Sequence, residues 1–400
     1  MSVSGAGTAR IAVIIAKLGP YHVARMQAVS RLVGPEALLV LEVARESREY
    51  AWTPVASSEF RRRTLIDTEY EALSRRALKA LMTRALEQEQ PEVVVVNGWG
   101  FPEARAALAW CRRRSRVAVL MSDSQERDLP RMLFKETTKR AILEDVDAAL
   151  VGGDRHVDYL EHLGFDRDRA VTGYDVVDND YFAQGADRAR AEAGLRQRMG
   201  LPARYLVVTT RLVPKKNVLR LLDAFAMYRR RLGAEAWDLV VIGDGPERPR
   251  VEARREALGL EGTMHLAGFK QYPDLPAYYG LASGFVLPSV SDQWGLVVNE
   301  AMACGLPALV SHACGASELV RDGENGFRFD PLSTADMARA MSDLTGESAR
   351  LAEMGRAARA AVAVLSPETF AAALFRAVDL GRAHRGQRQR ALLPNPALWY

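Results

Sequence analysis

Short runs of aliphatic and β-branched residues recur along this chain, each followed by a stretch of helical periodicity, and that alternation limits the fold more than any other feature. In the first half such runs lie at 11–16, 37–43, 93–97, 117–121, 148–151 and 170–172, with helical patterns between them, notably over 68–86, 102–113 and 155–163. From Tyr205 the scheme starts again, with runs at 239–242, 264–266, 284–287 and 308–311. Strands separated by helices imply an α/β architecture of parallel sheets covered on both faces. The 400 residues are two to three domains' worth of chain, and a hydrophobic share of 48% is ample for sizeable cores.

Several classes are disfavoured. No apolar run approaches the roughly 18–20 residues of a membrane span, and the run at 11–16 ends at Lys17, which is not the shape of a signal peptide. Cys111, Cys304 and Cys314 are odd in number and lack metal-ligand spacing, so a reduced, cytoplasmic protein is expected. A net charge of +4, with both signs mixed along the chain, does not argue for nucleic acid as a partner. Asp178-Asn-Asp180 and Asp145-Val-Asp147 are weak metal signatures in a chain that is 26% charged, and no metal is expected.

Chemistry concentrates at Asp292-Gln-Trp-Gly-Leu-Val-Val-Asn-Glu300, followed by Ala-Met-Ala-Cys-Gly-Leu-Pro307. Ser291 and Asp292 are cap residues, 296–302 is helix-compatible, and Gly305 with Pro307 supplies a stop. Asp292 thus stands before the first turn and Glu300 lies inside the helix. Gly295 removes a side chain where unpaired amides emerge, so a diphosphate can approach the start of the helix at Gly295, Leu296 and Val297. Phosphate repels carboxylates, and Glu300 is therefore expected to face hydroxyls, such as the vicinal diol of a ribose. An ordinary capped helix with a surface glutamate is the plain alternative.

A second signal is Leu206-Val-Val-Thr-Thr-Arg211-Leu-Val-Pro-Lys215-Lys216, a strand that runs into a loop bearing three cations. Open α/β sheets bind ligands where parallel strands end. Fixed positive groups there would stabilise the charge that grows on a departing nucleoside diphosphate. Lys215 reads more simply as a solvated loop cation. A third segment, Leu239-Val-Val-Ile-Gly243-Asp-Gly245-Pro246, has Arg248 where a dinucleotide fingerprint needs its third glycine, which weakens a dehydrogenase reading.

The 292–307 segment resembles the retaining glycosyltransferases of family 4, whose signature is two glutamates separated by seven residues, Phe-Gly-Leu between them and Glu-Ala-Met-Ala-Cys-Gly-Leu-Pro at the end. Here Asp292 replaces the first glutamate and Trp294 the phenylalanine. Arg211 and Lys216 match the spacing of that family's basic loop. The resemblance implies a GT-B fold, two facing Rossmann-like domains with a cleft between them. It divides the chain into an acceptor-side domain at 1–182, a linker at 183–203 and a nucleotide-sugar domain at 204–366. A helix at 367–380 would cross back to the first domain, and 381–400 would form a basic tail. In this reading Asp292 orients the donor sugar, Glu300 holds the ribose, and Arg211, Lys216 and the amides at 295–297 stabilise the leaving diphosphate. Gly243 and the backbone of Lys270 border the nucleoside.

On the acceptor side, the resemblance places Gly19 and His22 in the loop that lines the site, although the family's paired glycines are absent; capping, or packing beside Tyr21, is the plain alternative for His22. The histidine common after the fourth strand is missing from Val119-Leu-Met-Ser122-Asp123-Ser124, so Asp123 is a candidate to accept the acceptor's proton, with helix capping as its other reading. Trp99 is a candidate sugar-stacking wall, with core packing as the alternative. The tail, cations from Gly381 to Arg390 and then Trp399-Tyr400, fits either peripheral contact with an anionic membrane or a loosely packed terminus.

The expected activity is retaining, metal-independent transfer of a sugar from a nucleoside-diphosphate sugar to a hydroxyl acceptor, a glycan, glycolipid or small molecule. It would take no cofactor beyond that co-substrate and would act in polysaccharide or lipid-linked glycan assembly, in the cytoplasm or at the inner face of the membrane. A natural-product glycosyltransferase, a nucleotide-sugar epimerase of the same architecture and an inactive carbohydrate-binding relative are the alternatives.

Overall fold

The computed structural model describes residues 10–48, 52–53, 57, 59–126 and 133–392. They form two units, one reaching Val176 and resuming at Pro367, the other spanning Val177–Ser366.

The first unit is built on seven parallel strands: β1 (Ile11–Ile15), β2 (Leu38–Glu46), β3 (Arg61–Glu69), β4 (Val93–Asn97), β5 (Val117–Ser122), β6 (Ala148–Val151) and β7 (Ala170–Thr172), in the order β3-β2-β1-β4-β5-β6-β7. The second has six: β8 (Tyr205–Thr209), β9 (Asp238–Ile242), β10 (Met264–Gly268), β11 (Gly284–Leu287), β12 (Ala308–Ser311) and β13 (Gly326–Phe329), in the order β10-β9-β8-β11-β12-β13 and again parallel. The inner strands are the unbroken apolar runs, because helices cover both faces and no position needs a polar side chain. Both units are Rossmann-like, as the strand-helix alternation implies.

Two strands do not announce themselves in the sequence, and both are sheet edges. β3 carries Arg61, Arg62 and Arg63 and runs to Glu69, into the stretch from 68 that was expected to be helical. An edge tolerates such residues when they are paired: Arg62 meets the buried Glu42 at 2.6 Å, while Arg61 and Arg63 share Glu89. The helix begins later, at Arg75, where the Ser74 hydroxyl accepts the Ala77 N–H at 3.1 Å. β13 is the short edge of the second sheet.

The expected linker at 183–203 is a packed part of the second unit. Its helices Asn179–Ala191 and Leu195–Arg198 are held there by Arg190 on the Cys304 carbonyl (2.5 Å), by Asp187 on Arg359 (2.6 Å) and by Arg196 on the Leu281 carbonyl (2.7 Å). Asp178 caps the first of these helices and Asn179 donates to the Val362 and Leu365 carbonyls.

The last helix does not stop near 380 but runs Pro367–Leu392 within the first unit. Arg385 binds Asp147, itself inaccessible to solvent, at 2.7 Å. Residues 393–400, including Trp399 and Tyr400, lie outside the described set. Contrary to expectation, a stretch within Ser348–Gln389 is long and apolar enough to cross a membrane by composition alone. It consists of the helices Leu351–Val362 and Pro367–Leu392, which belong to different units and bury residues such as Met354, Phe370 and Leu374.

Candidate functional site

In the second sheet β8 and β11 are neighbours, and the chain leaves this pair in opposite directions, through β9 and β10 on one side and β12 and β13 on the other. This is the switch point at which loops beyond the carboxyl ends of parallel strands diverge and leave a crevice.

The loop after β8 passes exposed Arg211 and closes in a tight turn at Pro214–Lys216. Asn217 follows in the left-handed region (φ 59°), buried, and its amide donates to the carbonyls of Pro288 (3.0 Å) and Pro331 (2.8 Å). The Val290 N–H donates to the Lys215 carbonyl at 2.9 Å. These bonds fasten the loop after β8 to the loop after β11. They bring Lys216 Nζ to 2.5 Å from Asp292 Oδ2, with both side chains about 15% exposed. Ser289 Oγ approaches the same carboxylate oxygen at 3.4 Å. Lys215 keeps its side chain exposed, as a solvated loop cation does.

Gly295 then heads the helix Leu296–Ala303 with φ 100°, and no side chain caps this end. A β-carbon at 295 would come within 2.8 Å of Leu287 Cδ2, so glycine is required by backbone and by space. The Val298 N–H turns back to the Gly295 carbonyl, and the amides of Leu296 and Val297 stand at the head of the helix. The pattern-derived helix start is thus present, with one revision: Asp292 and Lys216, assigned separately to sugar and diphosphate, form a single ion pair.

Glu300 departs from expectation. It is wholly buried, and its Oε2 accepts the Tyr279 hydroxyl at 2.7 Å. The hydroxyl that meets this oxygen is the protein's own. Tyr279 was invisible as a partner because the contact spans 21 residues and two helices. The unusual Trp294 is also internal, with its indole N–H on Asn299 Oδ1 at 2.9 Å.

Gly243 has φ 131°, and a β-carbon there would sit 1.8 Å from the Thr210 carbonyl oxygen. Its N–H donates to the Gly268 carbonyl, while Leu212 N–H and the Asp244 carbonyl join at 2.9 Å. Gly243 therefore lets the loops after β8, β9 and β10 pack backbone to backbone. Lys270 holds its ammonium over the Tyr278 ring, 5.6 Å from the centroid.

Within the first unit, Gly19 precedes the helix Pro20–Val33, and its N–H donates to His22 Nδ1 at 3.1 Å. Burial, reinforced by the Arg25 charge, pushes the imidazole down to about 3, which leaves it neutral and accepting. Gly153 and His156 repeat the device at 3.0 Å before the helix Asp154–His162. The capping role of His22 is thus observed. Asp123 follows β5 partly buried, and the next described helix is Leu133–Leu143. Trp99 takes the core-packing alternative: it is 7% exposed, edge-on to Tyr159 and packed in the core, while Arg105 Nε donates to its carbonyl at 2.9 Å. Pattern reading missed Trp52, which stands edge-on to Tyr21 and against Gly19. No periodicity in the sequence around it marks it.

Residues 196–361 match the family of glycosyl transferases group 1. Over 193 residues the chain is 34% identical to a GDP-mannose-dependent alpha-(1-6)-phosphatidylinositol monomannoside mannosyltransferase of Mycolicibacterium smegmatis, covering 46% of this chain and 49% of that protein. It is 33% identical over 160 residues to an alpha-D-kanosaminyltransferase of Streptomyces kanamyceticus (40% and 41%) and 32% identical over 268 residues to a D-inositol 3-phosphate glycosyltransferase of Rhodococcus opacus (64% and 57%). The chain spans about half the length of these curated relatives. Among solved structures it resembles Anabaena Alr3699/HepE in complex with UDP (TM-score 0.71, 17% identity, 92% of this chain and 99% of that one). It also resembles the sucrose-phosphate synthase of Thermosynechococcus elongatus (TM-score 0.71, 19% identity, 95% and 99%). At these identities the likeness is one of fold, the GT-B class.

Proposed function

We propose, from the premise that residues 196–361 belong to the glycosyl transferases group 1 family, that the chain is a retaining glycosyltransferase moving a sugar from a nucleoside diphosphate to a hydroxyl acceptor. The observation that carries this reading is the Lys216–Asp292 pair beside the uncapped start of the helix at Gly295, at the switch point of the second sheet.

As the bond between the sugar's anomeric carbon and the phosphate oxygen breaks, negative charge develops on the leaving diphosphate. The Arg211 guanidinium, the Lys216 ammonium and the amides of Leu296 and Val297 stabilise that charge, which makes the proposed reaction independent of a metal. Asp292 fixes the ammonium and orients the donor sugar. The acceptor oxygen bonds to the anomeric carbon on the face the diphosphate leaves, and its proton passes to a phosphate oxygen, with Asp123 as the candidate protein group on the acceptor side. Glu300 would meet a ribose by exchanging the Tyr279 hydroxyl on Oε2 for a ribose hydroxyl. The names of the relatives support an acceptor in glycolipid or glycan assembly, and the kanosaminyltransferase supports natural-product glycosylation as the second reading. Three free, buried cysteines support the cytoplasm as its compartment.

The test is incubation with a panel of UDP- and GDP-sugars, with and without glycan, glycolipid and small-molecule acceptors, followed by mass spectrometry and NMR of the products. Acceptor-dependent release of nucleoside diphosphate with a retained anomeric configuration supports the proposal, and an inverted product sinks the retaining mechanism. Isomerised nucleotide sugar without acceptor identifies an epimerase, and binding without turnover identifies an inactive relative. A rate abolished by EDTA and restored by a divalent cation would overturn metal independence.

A further inference from the structure

The contact between Tyr279 and Glu300 bears on which nucleotides the donor site accepts. Tyr279 belongs to the helix Leu275–Leu281 and, like Glu300, is wholly buried. Its hydroxyl donates to Glu300 Oε2 at 2.7 Å. The ring is wedged between two others, with its centroid 6.1 Å from that of Phe182 and 6.1 Å from that of Phe285.

The helix that carries Tyr279 has no room to shift. A β-carbon on Gly280 would come within 2.7 Å of the Ala186 carbonyl oxygen, and one on Gly185 within 2.5 Å of Pro276 Cβ. The helices Leu275–Leu281 and Asn179–Ala191 are therefore in close contact at both glycines. Interiors packed this closely resist movement of whole elements, whereas a glutamate side chain can turn about its own torsions. Of the two partners, Glu300 is the one that can move.

We propose, on the reading of Glu300 as the ribose holder, that Tyr279 is a specificity-determining residue, the internal rival that a ribose must displace from the carboxylate. Turning Glu300 toward a ribose breaks its bond to the Tyr279 hydroxyl. A single ribose hydroxyl restores one bond of the same kind, hydroxyl to carboxylate, and the exchange is even. A vicinal diol offers two donors to the two carboxylate oxygens, so the net gain is one hydrogen bond to a carboxylate, about tenfold in affinity. The site thereby selects an intact ribose. The donors are ribonucleotide sugars, and a 2′-deoxynucleoside diphosphate gains nothing from Glu300.

The test is calorimetric titration of the full chain, of Tyr279→Phe and of Glu300→Met with UDP and GDP and with the 2′-deoxy, 3′-deoxy and 2′,3′-dideoxy forms of each. In the unmodified chain the ribonucleotide should bind about tenfold tighter than its dideoxy form, and each monodeoxy form within about twofold of the dideoxy form. Tyr279→Phe has no such bond to break. Its ribonucleotide affinity should rise about tenfold, and each monodeoxy form should stand about tenfold above the dideoxy form, whose affinity stays constant. A residue with a merely structural role would weaken all forms alike. A monodeoxy form that binds the unmodified chain about tenfold tighter than the dideoxy form would overturn the assignment, and that measurement needs no variant. So would a Tyr279→Phe chain whose ribonucleotide affinity falls or does not change. Both results leave the ribose role of Glu300 standing. A ribose preference that survives in Glu300→Met would overturn that role, and failure of the unmodified chain to bind either nucleotide would overturn the donor site, each with this inference.

Discussion

The helices Pro20–Val33 and Leu296–Ala303 both begin on a glycine that follows a parallel strand, yet they complete their first turns in opposite ways. The first closes on itself. Gly19 is extended (φ −114°), and its N–H is taken by His22 one turn on, an arrangement repeated at Gly153 and His156. The second is left open by its own side chains, with a left-handed Gly295 at its head and the Lys216–Asp292 pair beside it. A helix start capped from within has little use for an anion, whereas one without a side-chain cap beside fixed cations is suited to bind it. The contrast supports the diphosphate role proposed at Gly295 and a mainly structural duty at Gly19.

The largest expected effect is at the cations. Lys216→Ala or Arg211→Ala should lower the transfer rate by about 10²–10³-fold, the scale for removing one preorganised electrostatic donor. Initial rates alongside thermal unfolding would show it, and near-normal turnover in a folded variant would sink the comparison. Next come the glycines. Gly295→Ala should cost roughly 1–2 kcal/mol from the left-handed backbone, with further loss from the clash with Leu287, and should weaken donor binding. Gly19→Ala should cost less than about 1 kcal/mol, because its backbone is already extended. Denaturant titration of the two variants would decide, and equal losses would erase the distinction.

A smaller, pH-dependent effect belongs to His22. Its folded pKa, about 3, lies below the unfolded value, so its contribution is fully present above about pH 6.5. As pH falls toward 3 the unfolded chain takes up a proton that the folded chain refuses, and stability declines by on the order of 1 kcal/mol per pH unit. In His22→Gln this part of the acid slope should vanish, and an unchanged slope in pH-dependent unfolding would refute it. The smallest effect is expected at Lys215→Ala, with transfer within about twofold of normal and stability within about 0.5 kcal/mol, as for an exposed loop cation. A loss matching that of Lys216→Ala would make Lys215 part of the site.

Much of the fold was legible because the inner strands are unbroken apolar runs: Val93–Asn97, Ala148–Val151, Gly284–Leu287 and Ala308–Ser311 emerge with the bounds read from pattern. Two of the four sheet edges, β3 and β13, were not legible, whereas the edges β7 and β10 were. β3 reads as a charged segment until Glu42 and Glu89 stand opposite its arginines, and those partners are distant in sequence. The site divides the same way. Gly295, Lys216 and Asp292 were readable because caps, turns and motif spacing are local, whereas the burial of Trp99 and the Tyr279 bond to Glu300 depend on what packs against them.

The amino-acid order by itself determined two α/β halves, a helix beginning at Gly295 and the cations of the loop after β8, because periodicity and turn chemistry act over a few residues. Tertiary structure alone decided that Lys216 and Asp292 are one pair and that Glu300 is enclosed. Burial and charge pairing are properties of neighbours in space, and the chain brings those neighbours from dozens of residues away.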